Sequence, residues 1–224
     1  MKLEKIVSWL DGVLRPEDFD DVSNNGIQIA RRGTDVRKVA FAVDGSAASV
    51  AAAAKGGAQL LVVHHGISWG GGIRRIDGGA YNVIKTAMDA DLALYASHLP
   101  LDANRRCGNN WEIAREMKLR RVKPAFSYHG NIIGVVGFDS RGRKTGICSG
   151  GAGSFAPEAK AMGCDLYVTG EADWGEVIAA ENVGMAMELR GHYETETYGV
   201  RALMREMGKE LSVGTFFVDR MTSV

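Results

Sequence analysis

Apolar residues fall into short clusters along the chain, and the spacing inside each cluster separates helices from strands. Ile6, Val7, Leu10 and Leu14 recur at helical intervals, which predicts an amphipathic helix over 3–14 ended by Arg15-Pro16. Residues 18–26 are acidic and asparagine-rich and read as a loop, followed by a short strand over 27–29. Short apolar strands over 39–43, 59–63 and 92–96 then alternate with helices over 46–55 and 81–90. Ser46 is placed to cap the first of these helices. The continuous apolar run at 59–63 is that of a strand buried on both faces, and a glycine-rich loop over 66–79 follows it. Asn109 or Asn110 can cap a helix running to about residue 118.

The second half repeats the alternation. Strands are predicted over 131–138, 147–148, 166–169, 185–189 and 215–218, with helices over 155–162, 173–182 and 195–207. Short apolar strands alternating with helices imply an α/β fold with mixed, mostly parallel sheets. The stretch 120–126, with Lys123-Pro124, reads as the connection between a first lobe over 1–120 and a second over 121–224. The last helix and strand are free to return to the first lobe.

Composition adds limits. The chain has 224 residues, 46% of them hydrophobic and 24% charged, enough for a sizeable core. Lys plus Arg and Asp plus Glu number 27 each, and this balance disfavours a dedicated nucleic-acid partner. Charges interrupt the first residues, so no signal peptide is read there, and no run approaches the roughly 20 apolar residues of a membrane helix. Cys107, Cys148 and Cys164 are widely spaced and form no CxxC. That usage suits a reduced cytoplasmic protein and argues against a disulfide framework or a cysteine zinc site.

In open α/β sheets chemistry gathers at the carboxyl ends of strands. Three such ends carry metal-competent side chains. His64-His65 follow the strand ending at Val63, and a chain break at Gly66 would let both rings turn into one crevice; a histidine pair satisfied by backbone groups is the alternative. His98-Leu99-Pro100-Leu101-Asp102 follows the next strand, with extended backbone expected around Pro100. Asp102 is a candidate ligand or a turn cap, and His98 a candidate proton-transfer group. His192 and Glu196 stand at i and i+4 if a helix begins near His192, on one face; a solvated acidic first turn is the alternative. Together His64, His65, Asp102, His192 and Glu196 exceed one closed four-coordinate site and suit two divalent ions. The donors are nitrogen and oxygen alone, so Zn, Mn, Fe, Co and Ni are all admissible.

Six segments resemble, in order, those of the GTP cyclohydrolase 1 type 2 homologue family, the Nif-three-like or dinuclear-metal-centre hexameric proteins. They are Ser23-Asn24-Asn25-Gly26-Ile27-Gln28, Val62-Val63-His64-His65, His98-Leu99-Pro100-Leu101-Asp102, Gly150-Gly151-Ala152-Gly153-Ser154, Leu166-Tyr167-Val168-Thr169-Gly170-Glu171 and Gly191-His192-Tyr193-Glu194-Thr195-Glu196. The resemblance runs across nearly the whole chain. It implies two similar intertwined α/β lobes, a toroidal homohexamer and a dinuclear centre held by His64, His65, Asp102, His192 and a bridging Glu196. It also implies metal-dependent hydrolysis of a nucleotide or phosphoester. A non-catalytic metal-binding scaffold, metal chaperone or nucleic-acid clamp is the alternative.

Three positions depart from the family pattern. Gly66 stands where a proline usually follows the double histidine. Leu99-Pro100 replace two polar residues of the family's H-T-N-L-D. Ala172-Asp173-Trp174-Gly175 replaces a K-Y-H run, which removes one histidine. Two further stretches carry weaker signals. Gly150 to Ser154 could cradle a phosphate but reads better as a tight packing turn. Trp69-Gly70-Gly71-Gly72-Ile73-Arg74-Arg75 reads as a surface loop or as a flexible, cationic lid for an anionic substrate.

Overall fold

A computed structural model describes residues 1–220 of the chain. The elements run α1 (Leu3–Leu14), β1 (Gly26–Ile29), β2 (Lys38–Asp44), α2 (Ala47–Lys55), β3 (Leu60–His65), α3 (Gly78–Asp89), β4 (Ala93–Ala96), α4 (Leu99–Ala103) and α5 (Asn109–Glu116). They continue β5 (Arg120–Tyr128), β6 (Asn131–Phe138), β7 (Lys144–Cys148), α6 (Ala156–Ala161), β8 (Leu166–Thr169), α7 (Trp174–Asn182), β9 (Met187–Leu189), α8 (His192–Glu210) and β10 (Gly214–Phe217). The chain divides into two compact units. One holds Met1–Leu101 with the chain from Val200 on, the other Asp102–Gly199.

The first unit is built on a five-stranded sheet of order β1-β4-β3-β2-β10. Its β4, β3, β2 and β10 pair in parallel and β1 antiparallel to β4. Val39 to Val43 and Leu60 to Val63 are at most 1% exposed, as expected of parallel strands covered on both faces. Ala40, Ala42, Leu61, Val63 and Leu94 pack on Val50 and Ala53 of α2 and Val83 and Ala87 of α3. The opposite surface meets α1, where the Tyr95 hydroxyl donates to Asp11 at 2.7 Å. Parallel register aligns the strand ends, with Asp44 beside His65 and Val63 beside Ala96. Asp44, the two histidines and Ser97-His98 therefore leave the sheet at the same end.

The second unit carries the sheet β5-β6-β7-β8-β9. The pairs β5/β6 and β6/β7 are antiparallel, and β7/β8 and β8/β9 parallel. Val135, Ile147 and Val168 pack there on Trp111, Ile113 and Ala114 of α5. The parallel half again aligns its carboxyl ends. Ser149 follows β7, Glu171 stands just beyond β8, and His192 just beyond β9.

Four local expectations are corrected. The stretch 120–126, read as a connection, lies within β5, and Pro124 is tolerated because β5 is an edge strand. β3 runs through His65 rather than ending at Val63. Pro100 lies in the first turn of α4 instead of in extended backbone; a first-turn proline loses no helical hydrogen bond. Neither Asn109 nor Asn110 caps α5. The N-cap is Gly108, and both asparagines are fully buried inside the helix.

Candidate metal centre

In the first unit one ring nitrogen each from His64, His65 and His98 lies within 4.8 Å of the others. The His64 and His65 ring centroids are 4.6 Å apart, and those of His64 and His98 5.1 Å. Each ring is anchored through Nδ1. His64 Nδ1 donates to the Ser97 carbonyl at 3.0 Å, His65 Nδ1 pairs with Asp44 at 2.9 Å, and His98 Nδ1 pairs with Asp21 at 2.9 Å. A carbonyl can only accept, so neutral His64 carries its proton on Nδ1 and its lone pair on Nε2. A carboxylate at Nδ1 selects the same tautomer in the other two rings.

Asp21 holds more than His98. Its carboxylate also accepts from Ser23 N, Leu99 N and Asn25 Nδ2, at 3.0, 2.9 and 2.8 Å. Burial alone would raise its pKa, but hydrogen bonding and charge from His98, with help from Asn25 and Ser23, hold it at about 2. Gly66 ends β3 in a space a Cβ could not share, because the Gln28 amide and Ala96 Cβ occupy it. The Gln28 amide accepts from Ile67 N and Ser68 N there, at 2.7 and 3.0 Å. That is the local reason for glycine at this position.

In the second unit α8 begins at His192, so His192 and Glu196 share a face, with Nε2 3.1 Å from Oε1. His192 Nδ1 pairs with Glu171 at 2.8 Å. The bond to Glu196 is the main cause that lifts the His192 pKa to about 9; burial opposes it and Glu171 adds to it. Glu196 is 4% exposed. Gly150, at φ +68°, leaves room for its carboxylate, and a Cβ there would collide with it. Gly150 N donates to Thr195 Oγ1 at 3.0 Å, and Ala152 N reaches Thr169 Oγ1 at 3.3 Å. The glycine turn is thus a packing turn beside two carboxylates, an unfavourable place for phosphate. Asp102 is held by Asn109 Nδ2 at 2.8 Å and Ser149 Oγ at 3.1 Å. Asn109 Oδ1 in turn accepts from Gly199 N of α8.

The donor set fits divalent metal. Four of the five histidines are held at Nδ1 by an oxygen acceptor, the usual arrangement around a ring that ligates through Nε2. In the first unit the structure joins His64, His65 and His98; in the second it joins His192 with Glu196 and holds Asp102 in its own network. The residues that sequence reasoning passed over are Asp21, Asp44 and Ser149, with Asn109 read only as a helix cap and Glu171 recognised only inside a motif. Position at a strand end marks Asp44 and Glu171; nothing in the acidic loop marks Asp21. Where the K-Y-H run is replaced, Asp173 caps α7 in a reciprocal box with Glu176, and Trp174 is 78% exposed.

The family model Duf34/NIF3 (NGG1p interacting factor 3) matches residues 1–140 and 130–223. The chain belongs to this family. Among NIF3 relatives, it is 38% identical to the GTP cyclohydrolase 1 type 2 homolog of Deinococcus radiodurans, over 99% of this chain and 94% of that one. It is 37% identical to the homolog of the same name from Archaeoglobus fulgidus, over all of both chains. Among solved structures it resembles TTHA1606 from Thermus thermophilus, with a TM-score of 0.88, 28% identity and full coverage of both chains. A structure described as protein ybgI, of unknown function, gives a TM-score of 0.85 at 26% identity over 99% of each chain. The NIF3 fold is thus a mixed α/β architecture with two mixed sheets. No helix among the described residues is long and apolar enough to cross a membrane.

Proposed function

We propose that this NIF3-family chain holds two divalent ions through His64, His65, Asp102, His192 and Glu196 and hydrolyses a nucleotide or phosphoester. The observation that carries the reading is the common anchoring of the histidines at Nδ1, which leaves Nε2 as the ligating nitrogen. Divalent ions supply Lewis acidity, lowering the pKa of water and polarising the electrophile. His98 is the proton-transfer group. Its Nδ1–H donates to Asp21, which fixes the ring's tautomer and orientation and leaves Nε2 to take up and return a proton. The nucleotide class is supported by the name that the relatives bear, GTP cyclohydrolase 1 type 2 homolog. Zinc, manganese, iron, cobalt and nickel all suit these donors. By the family resemblance the chain assembles as a toroidal homohexamer, and its widely spaced cysteines suit the reduced cytoplasm.

Elemental analysis of untagged protein tests the metal content, with two ions per chain expected. His64→Ala and Glu196→Ala should each lower that number and abolish turnover of nucleotides or phosphoesters. Turnover that survives both substitutions removes the hydrolase. A non-catalytic metal scaffold is the second reading, favoured by the loss of polar groups at Leu99-Pro100, where Leu99 is 2% exposed. Full metal occupancy with no turnover across the panel selects it.

A further inference from the structure

The loop after the double histidine divides into two parts. Its first part is pinned. Ile67 N and Ser68 N donate to the Gln28 amide oxygen, and Asn24 N donates to the Ser68 carbonyl at 3.1 Å. Trp69 bridges to Ser23, and Gly70 N donates to Val22 O at 2.6 Å. The indole N–H, the only donor that side chain has, is spent on the Gly66 carbonyl at 2.9 Å. The ring forms a T-shaped pair with His98, at 5.2 Å and 74°, and lies 6.0 Å from His65. Even so, it is 37% exposed. Beyond it Gly70 and Gly72 take positive φ, and Arg74 and Arg75 are exposed.

A large aromatic ring held this firmly, with its hydrogen-bonding capacity used up, has only its π surface left to offer. The ring is partly exposed beside the histidine cluster. We propose that Trp69 is the platform on which a planar heteroaromatic ring of the substrate stacks while the rest of the molecule lies toward His65 and His98. The inference rests on the hydrolase reading for the identity of the site, and it narrows the substrate class. The ligand carries a flat heterocycle, as a nucleotide does, and a phosphoester without one lacks half of the recognition. A stacked ring needs no particular hydrogen-bond pattern, so Trp69 selects for flatness and leaves the choice among bases to other groups. Arg74 and Arg75 follow on a glycine-flanked arm, where cations suit the phosphate of the same ligand.

The test compares binding of GMP and AMP with binding of ribose 5-phosphate, by calorimetry, to wild type, Trp69→Ala and Trp69→Phe. Each protein is assayed metal-loaded and after chelation, with metal content measured on the same samples. Wild type should bind the nucleotides more tightly than the sugar phosphate. Trp69→Ala should weaken nucleotide binding by about tenfold or more, the usual effect of removing a stacking partner, and leave ribose 5-phosphate unchanged. Trp69→Phe should recover most of the loss, and metal content should not move in either variant. No preference for nucleotides in wild type, or a preference that survives Trp69→Ala, overturns the platform. A Trp69-dependent preference in protein that takes up no metal leaves the platform standing and removes the metal reading instead.

Discussion

Asp21 is a heavily used carboxylate in the first unit. Its side chain is 1% exposed, and it accepts from a ring nitrogen, an amide side chain and two backbone N–H groups. Removing it strands several buried donors together. Asp21→Ala should therefore cost about 2–4 kcal/mol in urea unfolding at neutral pH. A loss below about 0.5 kcal/mol, the range of an ordinary surface change, would show that the loop does not depend on it. Asp91 shows the same principle at the surface. Its carboxylate accepts from Arg32 N, Gly33 N and the Arg31 guanidinium. The Arg32 hydrogen bond is the leading reason its pKa is lowered from 3.8, with Arg31 and Gly33 adding to it against burial. A carboxylate with a depressed folded-state pKa adds stability above its unfolded pKa and loses it as pH falls through the folded value. The melting temperature of Asp91→Asn should lie below wild type at pH 7, and the gap should close as pH drops below about 4. A gap that is constant from pH 7 to pH 3 would exclude the charge as its cause. Asparagine is the right replacement because Asp91 sits at φ +47°, which asparagine tolerates and alanine does not.

The recurring device among the elements is a strand whose carboxyl end delivers one or two polar residues. β2 delivers Asp44, β3 His64 and His65, β7 Ser149, β8 Glu171 and β9 His192. Parallel pairing keeps these ends level, which is why residues distant in sequence meet as ring and carboxylate. Helices open next to several of these ends, and their caps set where they start. Asp173 accepts from Glu176 N at 2.8 Å while Glu176 answers to Asp173 N at 2.9 Å. Asp173→Ala should lower stability by about 1 kcal/mol through the lost cap. Bound metal should be unaffected, because Asp173 belongs to the opening of α7. A loss of metal in that variant would mean that the segment standing in place of the K-Y-H run takes part in the site after all.

At the scale of the molecule, the proposed metal would be coupled to folding. Ligands that bind only the folded chain stabilise it in proportion to their occupancy. Chelation should lower the melting temperature by several degrees, and readdition of the native ion should restore it. The same chelation of Glu196→Ala should produce little change. Identical melting with and without chelator in wild type would count against resident metal.

Residues near one another in sequence made much of the fold readable. The helical spacing of Ile6, Leu10 and Leu14, the serine cap at Ser46 and the apolar run through Leu61 and Val63 each express a preference that acts within a turn or a strand. The i, i+4 placement of His192 and Glu196 was legible for the same reason, since helix geometry alone brings them together. Partnerships across the fold were not. His98 and Asp21 are 77 residues apart, and Asp44 and His65 meet only because β2 and β3 pair in one register. The return of β10 to β2 also depends on that sheet having an edge to accept it. Asn109 and Asn110 show the limit most plainly. Local preference offers both as caps, yet burial turns them inward to hold Asp102, Gly199, Ile133 and Ser149. Local sequence determined the elements and the donor types, because those follow from short-range sterics and periodicity. Tertiary structure decided which carboxylate steadies which ring, because that depends on strand register and on where water is excluded.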